Sequence, residues 1–273
     1  MTRSWLFCPG TRPDRLTGAA AAADVVVAEL EDAVAPGDKA AARAAVAAWL
    51  AGHPDLAPRV WVRINDSTDL EALAGHGIAG VVLPKAELAG VAACGDFPVF
   101  ALVETAAGVQ ELPELARHPA VTAVGLGEYD LAAELGVAPP ALTGNDGPLA
   151  WARAQVVVAA AAAGLAPPPA AVSAELADLA GFRADTLALQ RAGFFGRMCV
   201  HPKQVALTHE VLVPSAEEVA QAEEALRAAE NSGVAVAGGR MVDAAVVRRA
   251  RRVLAPAGTP RTTAEQLIEE DQQ

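Results

Sequence analysis

Two carboxylates follow successive apolar runs in this chain of 273 residues. Glu104 directly follows the run 99–103 (VFALV), and Asp130 comes shortly after the run 121–126 (VTAVGL). Such runs are typical of buried strands, where an acid gains nothing from apolar surroundings. Two acids that meet at one edge of a sheet repel each other and resist ionisation unless a cation lies between them. Because Mg²⁺ is commonly held by one or two carboxylates plus water and substrate, the pair predicts a metal-dependent enzyme.

The composition predicts a large folded core and excludes some classes of partner. Hydrophobic residues make up 53% of the chain, so disorder is not expected. The net charge of −12 argues against nonspecific binding to nucleic acid or to an anionic membrane. Small anionic substrates stay possible, since a few local Arg or Lys residues are enough to bind them.

Cysteine usage and hydropathy favour a soluble protein of the cytoplasm. Cys8, Cys94 and Cys199 are odd in number and form no CxxC pair, which fits a reducing compartment. The apolar start of the chain breaks at Pro9, too early for a signal peptide. The Ala-Val stretch near 156–166 is shorter than the roughly 20 residues of a membrane span.

Strand-like and helix-like segments alternate along most of the chain. The predicted strands are residues 5–8, 24–30, 59–64, 80–83, 98–103, 121–126, 170–172 and 197–200. The predicted helices are residues 13–22, 38–50, 68–74, 86–93, 107–116, 148–163, 174–192 and 216–230. This alternation predicts a (β/α)₈ TIM barrel, and no GxGxxG motif supports a dinucleotide fold.

The chain divides into a predicted barrel core, residues 1–212, and a C-terminal part, residues 213–273. The second part holds the final barrel helix and a helical extension that could act as a lid or as an arm to another subunit. Its features are a helix over 244–254 and a polar end at 265–273, which we expect to fray.

Polar residues follow nearly every predicted strand, which is where barrel enzymes keep their chemistry. Arg63 could hold a substrate carboxylate in a bidentate manner, or form an internal salt bridge with Glu29 or Glu31. Alternation along residues 25–32 points Glu29 and Glu31 to the same face. These two acids could supply a base or hold metal-bound water, or they could neutralise Arg63 and Lys85.

Three other residues at strand ends have two interpretations each. Lys85 could be a Schiff-base nucleophile if burial lowered its pKa, but pairing with carboxylates is the commoner arrangement. Arg12 could face phosphates at a helix start or lie solvated on the surface, as could Arg15. His201 has no Cys or His at ligand spacing, so we interpret it as an orienting or packing residue and not as a zinc ligand.

Read together, these segments resemble the citrate lyase β-subunit and CoA-ester lyase family, within the HpcH/HpaI aldolase and citrate lyase superfamily. The matching segments are residues 3–10 (RSWLFCPG), 30–34 (LEDAV) with Lys39 and Arg43, 62–65 (VRIN), 83–85 (LPK), 103–105 (VET), 127–131 (GEYDL), 193–196 (GFFG), 201–204 (HPKQ) and 239–243 (GRMVD). They span essentially the whole chain in a fixed order.

The resemblance implies a Mg²⁺-dependent barrel, usually a homotrimer, that cleaves or forms a carbon–carbon bond in a 3-hydroxyacyl-CoA ester. Malyl-CoA and citramalyl-CoA are such esters, and the products are an acyl-CoA and a 2-oxo acid. By position, Glu104 and Asp130 match the metal ligands and Arg63 the substrate-carboxylate clamp. Asp243 matches an aspartate that reaches into a neighbouring subunit's site, and Arg12 matches a residue near the CoA or substrate entrance. We therefore take Asp243, Arg63 and Glu31 as candidate catalytic residues, and Arg63, Arg12, Glu104, Asp130 and Lys85 as candidate substrate-binding residues.

Two positions depart from the family pattern, and they keep other functions open. The family usually has aspartate where this chain has Glu29 and Ser173. The alternatives are a metal-dependent aldolase acting on free hydroxy-oxo acids, a Schiff-base aldolase using Lys85, and a weakly active subunit of an acyl-carrier lyase complex. The sequence does not identify the acyl group or the 2-oxo acid.

Overall fold

The computed structural model describes residues 1–138, 147–229, 235–237 and 239–255. The polar end predicted at 265–273 lies outside these residues. No helix in the described ranges is long and apolar enough to cross a membrane.

A seven-stranded parallel sheet forms the centre of the fold, in the order β6-β5-β4-β3-β2-β1-β7. Each strand matches a predicted one to within about two residues. The strands are β1 (Ser4–Pro9), β2 (Val25–Glu29), β3 (Val60–Arg63), β4 (Gly80–Leu83), β5 (Val99–Val103), β6 (Val121–Leu126) and β7 (Arg197–Cys199).

The strand predicted at 170–172 is reduced to a single parallel bridge between Ala170 and Arg197 beside β7. Three prolines at 167–169 precede it, and proline has no N–H to donate to a ladder. The amide of Ala174, just beyond the bridge, donates to Tyr129 Oη at 3.2 Å. Because Tyr129 follows β6, this bond brings the two edges of the sheet close together.

Helices follow most strands, and the predicted helices agree with the described ones in extent better than in number. The helices are α1 (Leu16–Ala22), α2 (Lys39–Gly52), α3 (Ser67–Leu73), α4 (Leu88–Ala93), α5 (Ala106–Arg117), α6 (Glu128–Leu135), α7 (Pro148–Ala162), α8 (Leu179–Arg191), α9 (Pro202–Val211), α10 (Ala216–Ala229) and α11 (Ala244–Leu254). A short antiparallel hairpin of β8 (Ala235–Ala237) and β9 (Arg240–Val242) joins the last two. The prediction missed α6 and α9, although Pro202 at the first position of α9 is a recognised start signal.

Aromatic rings fill the inside of the sheet and show that it curls. The ring centroids of Trp5 on β1 and Phe100 on β5 are 5.0 Å apart, and Trp61 contacts both rings. In a flat sheet, four strand spacings would separate β1 from β5 by about 19 Å. A Cβ at Gly125 would lie 2.6 Å from the ring of Phe100, so glycine makes room for this layer. Leu102 and Met198 belong to the same apolar cluster inside the sheet.

Two further apolar clusters lie outside the curled sheet. The larger one joins the outer faces of the strands to the helices, through residues such as Leu16, Val46 and Leu112, none of which is exposed. The smaller one lies in the C-terminal part, where Ala222 and Ala225 of α10 pack with Val242 and Ala250. Helices α10 and α11, with β9, therefore have a small apolar core separate from that of the sheet.

Candidate functional site

Arg63 is the centre of a buried charge cluster at the carboxyl end of β3. Its Nη2 lies 2.8 Å from Glu31 Oε2 and 3.2 Å from Asp32 Oδ2. Its Nε lies 2.6 Å from Glu29 Oε2, an ion pair that lacks the alignment of a hydrogen bond. Nη1 is the least engaged nitrogen, with Glu104 Oε1 at 3.8 Å. Burial would lower the pKa of Arg63, but Glu29, Glu31 and Glu104 together raise it, so the guanidinium stays charged.

The end of β2 supplies most of these carboxylates, and local hydrogen bonds fix its course. Glu31 N–H donates to Glu29 Oε1 at 2.6 Å. Lys39 Nζ, from the first turn of α2, donates to the carbonyls of Leu30 and Glu31 at 2.8 and 2.5 Å. Burial raises the pKa of Glu29, against the opposing effect of Arg63. Lys39 thus holds the backbone that presents Glu31, which explains its place in the matching segments.

Glu104 follows β5 and is almost fully buried beside this cluster. Its Oε2 accepts a hydrogen bond from Lys85 N–H at 2.9 Å. Burial raises the pKa of Glu104 to about 7, although Lys85 N–H and Arg63 oppose the shift. The charges of Asp130 and Glu31 raise it further. A cation bound near Asp130 would therefore stabilise the ionised form of Glu104 more than it would stabilise an ordinary surface carboxylate.

Gly127 leaves the space that Glu104 occupies. A Cβ at this position would lie 2.4 Å from Glu104 Oε1 and 2.5 Å from Glu104 Cγ, well inside contact distance. The φ of Gly127 is −94°, so the requirement for glycine comes from this close approach and not from backbone strain. Sequence reasoning named Gly127 only as part of the matching segment 127–131 and gave it no role, because no local signal marks a glycine that faces a carboxylate from the neighbouring strand.

Lys85 connects the two groups of acids and adopts an uncommon backbone conformation. Its Nζ lies 2.6 Å from Glu31 Oε1, and its φ of 46° lies in the left-handed region. That region costs a non-glycine residue on the order of 1–2 kcal/mol, a strain that is typical of functional sites. The hydrogen bond with Glu31 raises the pKa of Lys85. A Schiff-base lysine needs a lowered pKa, so the geometry disfavours that alternative.

Asp130 and Glu128 lie on the first turn of α6 and have different surroundings. Glu128 is buried and forms a two-pronged ion pair with Arg153 of α7, whose Nε donates to Oε1 at 2.8 Å. Asp130 is partly exposed and lines the same cavity as Glu104. The two acids of segment 127–131 thus have different roles. Glu128 holds α6 to α7, and Asp130 faces the cavity.

The charged residues border a cavity of about 450 Å³ at the carboxyl ends of the strands. Its lining is Phe7, Cys8, Pro9, Glu29, Asp32, Ala33, Arg63, Leu102, Glu104, Leu126, Gly127, Glu128, Tyr129, Asp130, Val172, Met198 and Val200. Glu31 and Lys85 adjoin this lining through their contacts with Arg63 and Glu104. The structure therefore brings together five predicted site residues, namely Arg63, Glu31, Glu104, Asp130 and Lys85.

Two other predicted site residues, Arg12 and Asp243, are not among the residues that line this cavity. Arg12 is exposed and pairs with Asp14, its Nη2 lying 2.7 Å from Oδ2. Asp243 is the N-cap of α11, where its Oδ1 accepts hydrogen bonds from Ala245 N–H and Val246 N–H at 2.9 Å. His201 likewise caps α9, accepting from Lys203 N–H, which agrees with an orienting role.

The donor set fits a hard divalent cation. Glu104 and Asp130 offer carboxylate oxygens, and acids outnumber the single cationic residue, Arg63, among the described residues that line the cavity. Nowhere in the described ranges do three or more His, Cys, Asp or Glu side chains converge as a metal site. A two-carboxylate site suits Mg²⁺, which keeps several waters and takes further ligands from the substrate.

Comparison with known proteins finds a matching family and several similar proteins. The sequence model of the HpcH/HpaI aldolase/citrate lyase family matches residues 3–94 and 90–202. The chain is 33% identical to an L-malyl-CoA/beta-methylmalyl-CoA lyase from Cereibacter sphaeroides over 297 residues, covering 92% of this chain and 93% of that one.

Two solved structures from Mycobacterium tuberculosis are also similar. CitE in complex with magnesium, acetoacetate and coenzyme A is 36% identical, with a TM-score of 0.81 over 94% of this chain and 98% of that one. A citrate lyase beta subunit complexed with oxaloacetate and magnesium is 36% identical, with a TM-score of 0.68 over 78% of this chain and 97% of that one.

The contact between Gly127 and Glu104 gives a stability prediction. We expect Gly127→Ala to lower the free energy of unfolding by about 1–3 kcal/mol, because the new methyl group overpacks against the carboxylate. In a Glu104→Ala background, Gly127→Ala should lower the free energy of unfolding much less, since the Glu104 carboxylate that the methyl group would meet is absent. Urea unfolding of the four proteins in this cycle measures the coupling.

Gly18 on α1 provides the matched control, because nothing lies within 4 Å of a Cβ there. Gly18→Ala should stabilise the protein by about 0.5–1 kcal/mol through helix propensity alone. Equal costs of Gly127→Ala with and without the Glu104 side chain would contradict the described contact.

Proposed function

This chain belongs to the HpcH/HpaI aldolase/citrate lyase family, and on that premise we propose that it is a Mg²⁺-dependent carbon–carbon lyase. Its substrate is a 3-hydroxyacyl-CoA ester such as malyl-CoA or citramalyl-CoA, which it cleaves to an acyl-CoA and a 2-oxo acid or forms from them. The observation that carries the proposal is the pairing of Glu104 with Asp130 at the cavity beside the buried Arg63 cluster. The names of the relatives support the reaction class.

We propose that Glu104 and Asp130 hold the Mg²⁺ ion. When bound, such an ion acts as a Lewis acid that stabilises negative charge on the oxygens of the hydroxy acid or oxo acid. The chain's own contribution is the position of the two carboxylates. Lys85 N–H orients Glu104, and Gly127 leaves the space for its side chain.

Arg63 is the proposed clamp for the substrate carboxylate, through its least engaged nitrogen. Nε and Nη2 are held by Glu29, Glu31 and Asp32, which fixes the plane of the guanidinium and leaves Nη1 directed towards Glu104. Internal pairing and substrate binding are therefore compatible here, although sequence reasoning treated them as alternatives. The salt bridges supply the rigidity that positions a clamp.

Glu31 and Lys85 are proposed to support this arrangement. Both oxygens of Glu31 are engaged, one with Lys85 and one with Arg63, and this supports a positioning role in preference to a role as base. Lys85 is about half exposed at the cavity rim, so its ammonium group can also contact an incoming anionic substrate. Arg12 is proposed to bind CoA at the cavity entrance. To do so it must leave Asp14, and this ion pair at the surface contributes little to stability.

The base that takes the hydroxyl proton is proposed to be Asp243 from a neighbouring subunit of a homotrimer. In its own chain Asp243 caps α11, and only Oδ1 serves the backbone. Residues 213–273 would then form the arm or lid that carries it. The outer face of α7 supports assembly into an oligomer. Trp151 is 50% exposed and Val158 is 62% exposed, and the exposed Ala154 and Ala161 lie on the same helix. A helix that is apolar on its outer side is typical of an interface.

We further propose that the (β/α)₈ barrel is complete, with the segment around Ala170 as its remaining strand, and that the enzyme works in the cytoplasm. The hydrogen bond between Ala174 and Tyr129 supports closure of the sheet. Cys8, Cys94 and Cys199 are all buried as free thiols, which supports a reducing compartment.

Turnover of CoA esters tests the proposed function directly. Purified protein should cleave malyl-CoA or citramalyl-CoA with Mg²⁺ present, and EDTA should lower the rate at least about 100-fold because the Lewis acid is lost. Restored Mg²⁺ should restore the rate, as followed by release of the 2-oxo acid. Glu104→Gln should abolish activity, whereas Glu71→Gln, an exposed acid on α3, should not.

The same assay separates the alternatives. Faster turnover of free malate or citramalate than of their CoA esters would identify a free-acid aldolase instead. Absence of turnover by the purified protein, with activity appearing only beside a partner subunit, would identify a component of an acyl-carrier complex.

The pKa of Glu104 predicts how Mg²⁺ affinity depends on pH. Because burial raises this pKa to about 7, the carboxyl group is mostly protonated below pH 7 and must lose its proton to bind the ion. Affinity should therefore rise by up to about tenfold per pH unit below pH 7 and level off above it. Titration calorimetry between pH 5.5 and 8.5 measures this, and a constant affinity across that range would show that no carboxyl group with a pKa near 7 loses its proton when the ion binds.

Subunit complementation tests the role of Asp243. Asp243→Asn should remove the base while keeping the cap, since Asn and Asp cap helices equally well. Asp243→Asn and Glu104→Gln proteins should each be inactive alone. Co-expressed as mixed trimers, they should regain activity, because about a quarter of the sites then combine an intact Glu104 with a neighbour's intact Asp243. Absence of recovery in mixed oligomers would show that Asp243 does not act across subunits.

A further inference from the structure

Several acids are found among the described residues that line the cavity, and one of them belongs neither to the Arg63 cluster nor to the proposed metal site. The acids are Glu29, Asp32, Glu104, Glu128 and Asp130. Glu29 and Asp32 pair with Arg63. The proposed metal ligands are Glu104 and Asp130. Glu128 is the remaining acid, and it lies at the same cavity as those ligands.

Arg153 of α7 engages both oxygens of the Glu128 carboxylate. Its Nε donates to Oε1 at 2.8 Å, and its Nη2 donates to Oε2 at 2.5 Å. The Glu128 side chain is 3% exposed and the Arg153 side chain is 13% exposed, so water screens this pair little. Such a two-pronged ion pair fixes the orientation of a carboxylate and also neutralises its charge. While Arg153 holds it, Glu128 therefore offers a cation little uncompensated charge.

Glu128 lies close to both proposed ligands. It is the first residue of α6, and Asp130 is the third. Gly127, directly before it, lies against the Glu104 side chain, because a Cβ at Gly127 would be 2.4 Å from Glu104 Oε1. A released Glu128 needs only a change of side-chain rotamer to turn towards a cation between these ligands. In the described ranges no three acids converge as a metal site, which agrees with Glu128 being held away.

The number of carboxylates at a site decides which divalent cation it prefers. Mg²⁺ is commonly bound by one or two carboxylates and keeps several of its waters, whereas Ca²⁺ takes about six to eight oxygen ligands in a flexible geometry. A third carboxylate would add negative charge and oxygen ligands together. The cavity of about 450 Å³ leaves room for the larger coordination shell. Two carboxylates therefore favour Mg²⁺ here, and three would favour Ca²⁺.

We propose that Arg153 is a positioning residue that sets the metal preference of this site, because it holds the Glu128 carboxylate away from the bound cation. The inference rests on the metal ligands of the proposed function, and it deepens that function. Arg153 acts through Glu128 and contacts neither substrate nor cation itself. Loss of Arg153 releases a third carboxylate into the cavity and shifts the preference from Mg²⁺ towards Ca²⁺.

Cation binding in the absence of substrate tests this role without any turnover. Titration calorimetry with MgCl₂ and with CaCl₂ gives the ratio of the Ca²⁺ affinity to the Mg²⁺ affinity. Arg153→Met should raise this ratio at least about tenfold, because the freed carboxylate favours the larger ion. Adding Glu128→Gln to Arg153→Met should return the ratio to the wild-type value, since the third carboxylate is then absent. An unchanged ratio in Arg153→Met, or a raised ratio in the double variant, would overturn the inference.

Arg3→Met is the matched control for general loosening of the fold. Arg3 forms a two-pronged ion pair with Asp24, through Nε at 3.1 Å and Nη2 at 2.9 Å, at the amino ends of β1 and β2. These strand ends lie opposite the cavity. Arg3→Met should therefore lower the melting temperature and leave the ratio of affinities unchanged. A shift of the ratio in Arg3→Met as large as that in Arg153→Met would contradict a specific role of Arg153.

Arg153→Lys decides the matter if Arg153→Met does not fold. A lysine keeps the positive charge beside Glu128, but its ammonium group cannot hold both carboxylate oxygens in the fixed fork of a guanidinium. Glu128 is then released in part, and the ratio of the Ca²⁺ affinity to the Mg²⁺ affinity should rise by about threefold. A wild-type ratio in Arg153→Lys would overturn the inference in that case.

Failure of this inference is distinguishable from failure of the proposed function. If the wild-type protein binds Mg²⁺ and cleaves CoA esters while the Arg153 variants keep the wild-type ratio, the lyase assignment stands and the role of Arg153 is wrong. If the wild-type protein binds Mg²⁺ no better than Glu104→Gln does, the proposed metal ligands are wrong and the inference is wrong with them.

Discussion

The buried guanidinium of Arg63 is the constraint on which the rest of the site depends. Glu29, Glu31 and Glu104 are all buried, and none of them would stay ionised at the carboxyl end of the curled sheet without a compensating cation. Arg63 contacts all three, and its own charge is stabilised by them in turn. Removing one member of such a cluster leaves an unpaired buried charge, which costs about 3–5 kcal/mol. The cluster therefore holds the ends of β2, β3 and β5 in one arrangement.

One guanidinium and one lysine do not balance the acids at this mouth, and the surplus defines the chemistry. Burial keeps the pKa of Glu104 at about 7, and the charge of Asp130 adds to the shift. A divalent cation between these two would remove the repulsion and the protonation together. Further negative charge is tolerated beside the ion and Arg63, whose Cζ also lies 5.8 Å from the centroid of the Phe7 ring.

Packing beneath the site gives these charges a rigid floor. Trp5, Trp61 and Phe100 meet inside the curled sheet, and Gly125 accommodates the ring of Phe100. Gly127, two residues later, accommodates Glu104 in the same manner. The chain from β6 into α6 thus uses two glycines to admit one aromatic ring and one carboxylate, and it then presents Asp130. Core packing and site geometry are parts of one continuous arrangement.

The sequence by itself determined the parallel sheet, the strand positions and the residue types that gather at the strand ends, because alternation and apolar runs are local properties. It also determined the family, through segments spread along the chain. Only the tertiary structure decided which charges meet. Glu128 pairs with Arg153, Lys85 with Glu31, and Asp243 with the start of α11. The sequence also did not show that the prolines at 167–169 would reduce a predicted strand to a single bridge, or that Gly127 faces Glu104. Such pairings depend on distances of a few ångströms between residues far apart in the chain, and no local pattern encodes those distances.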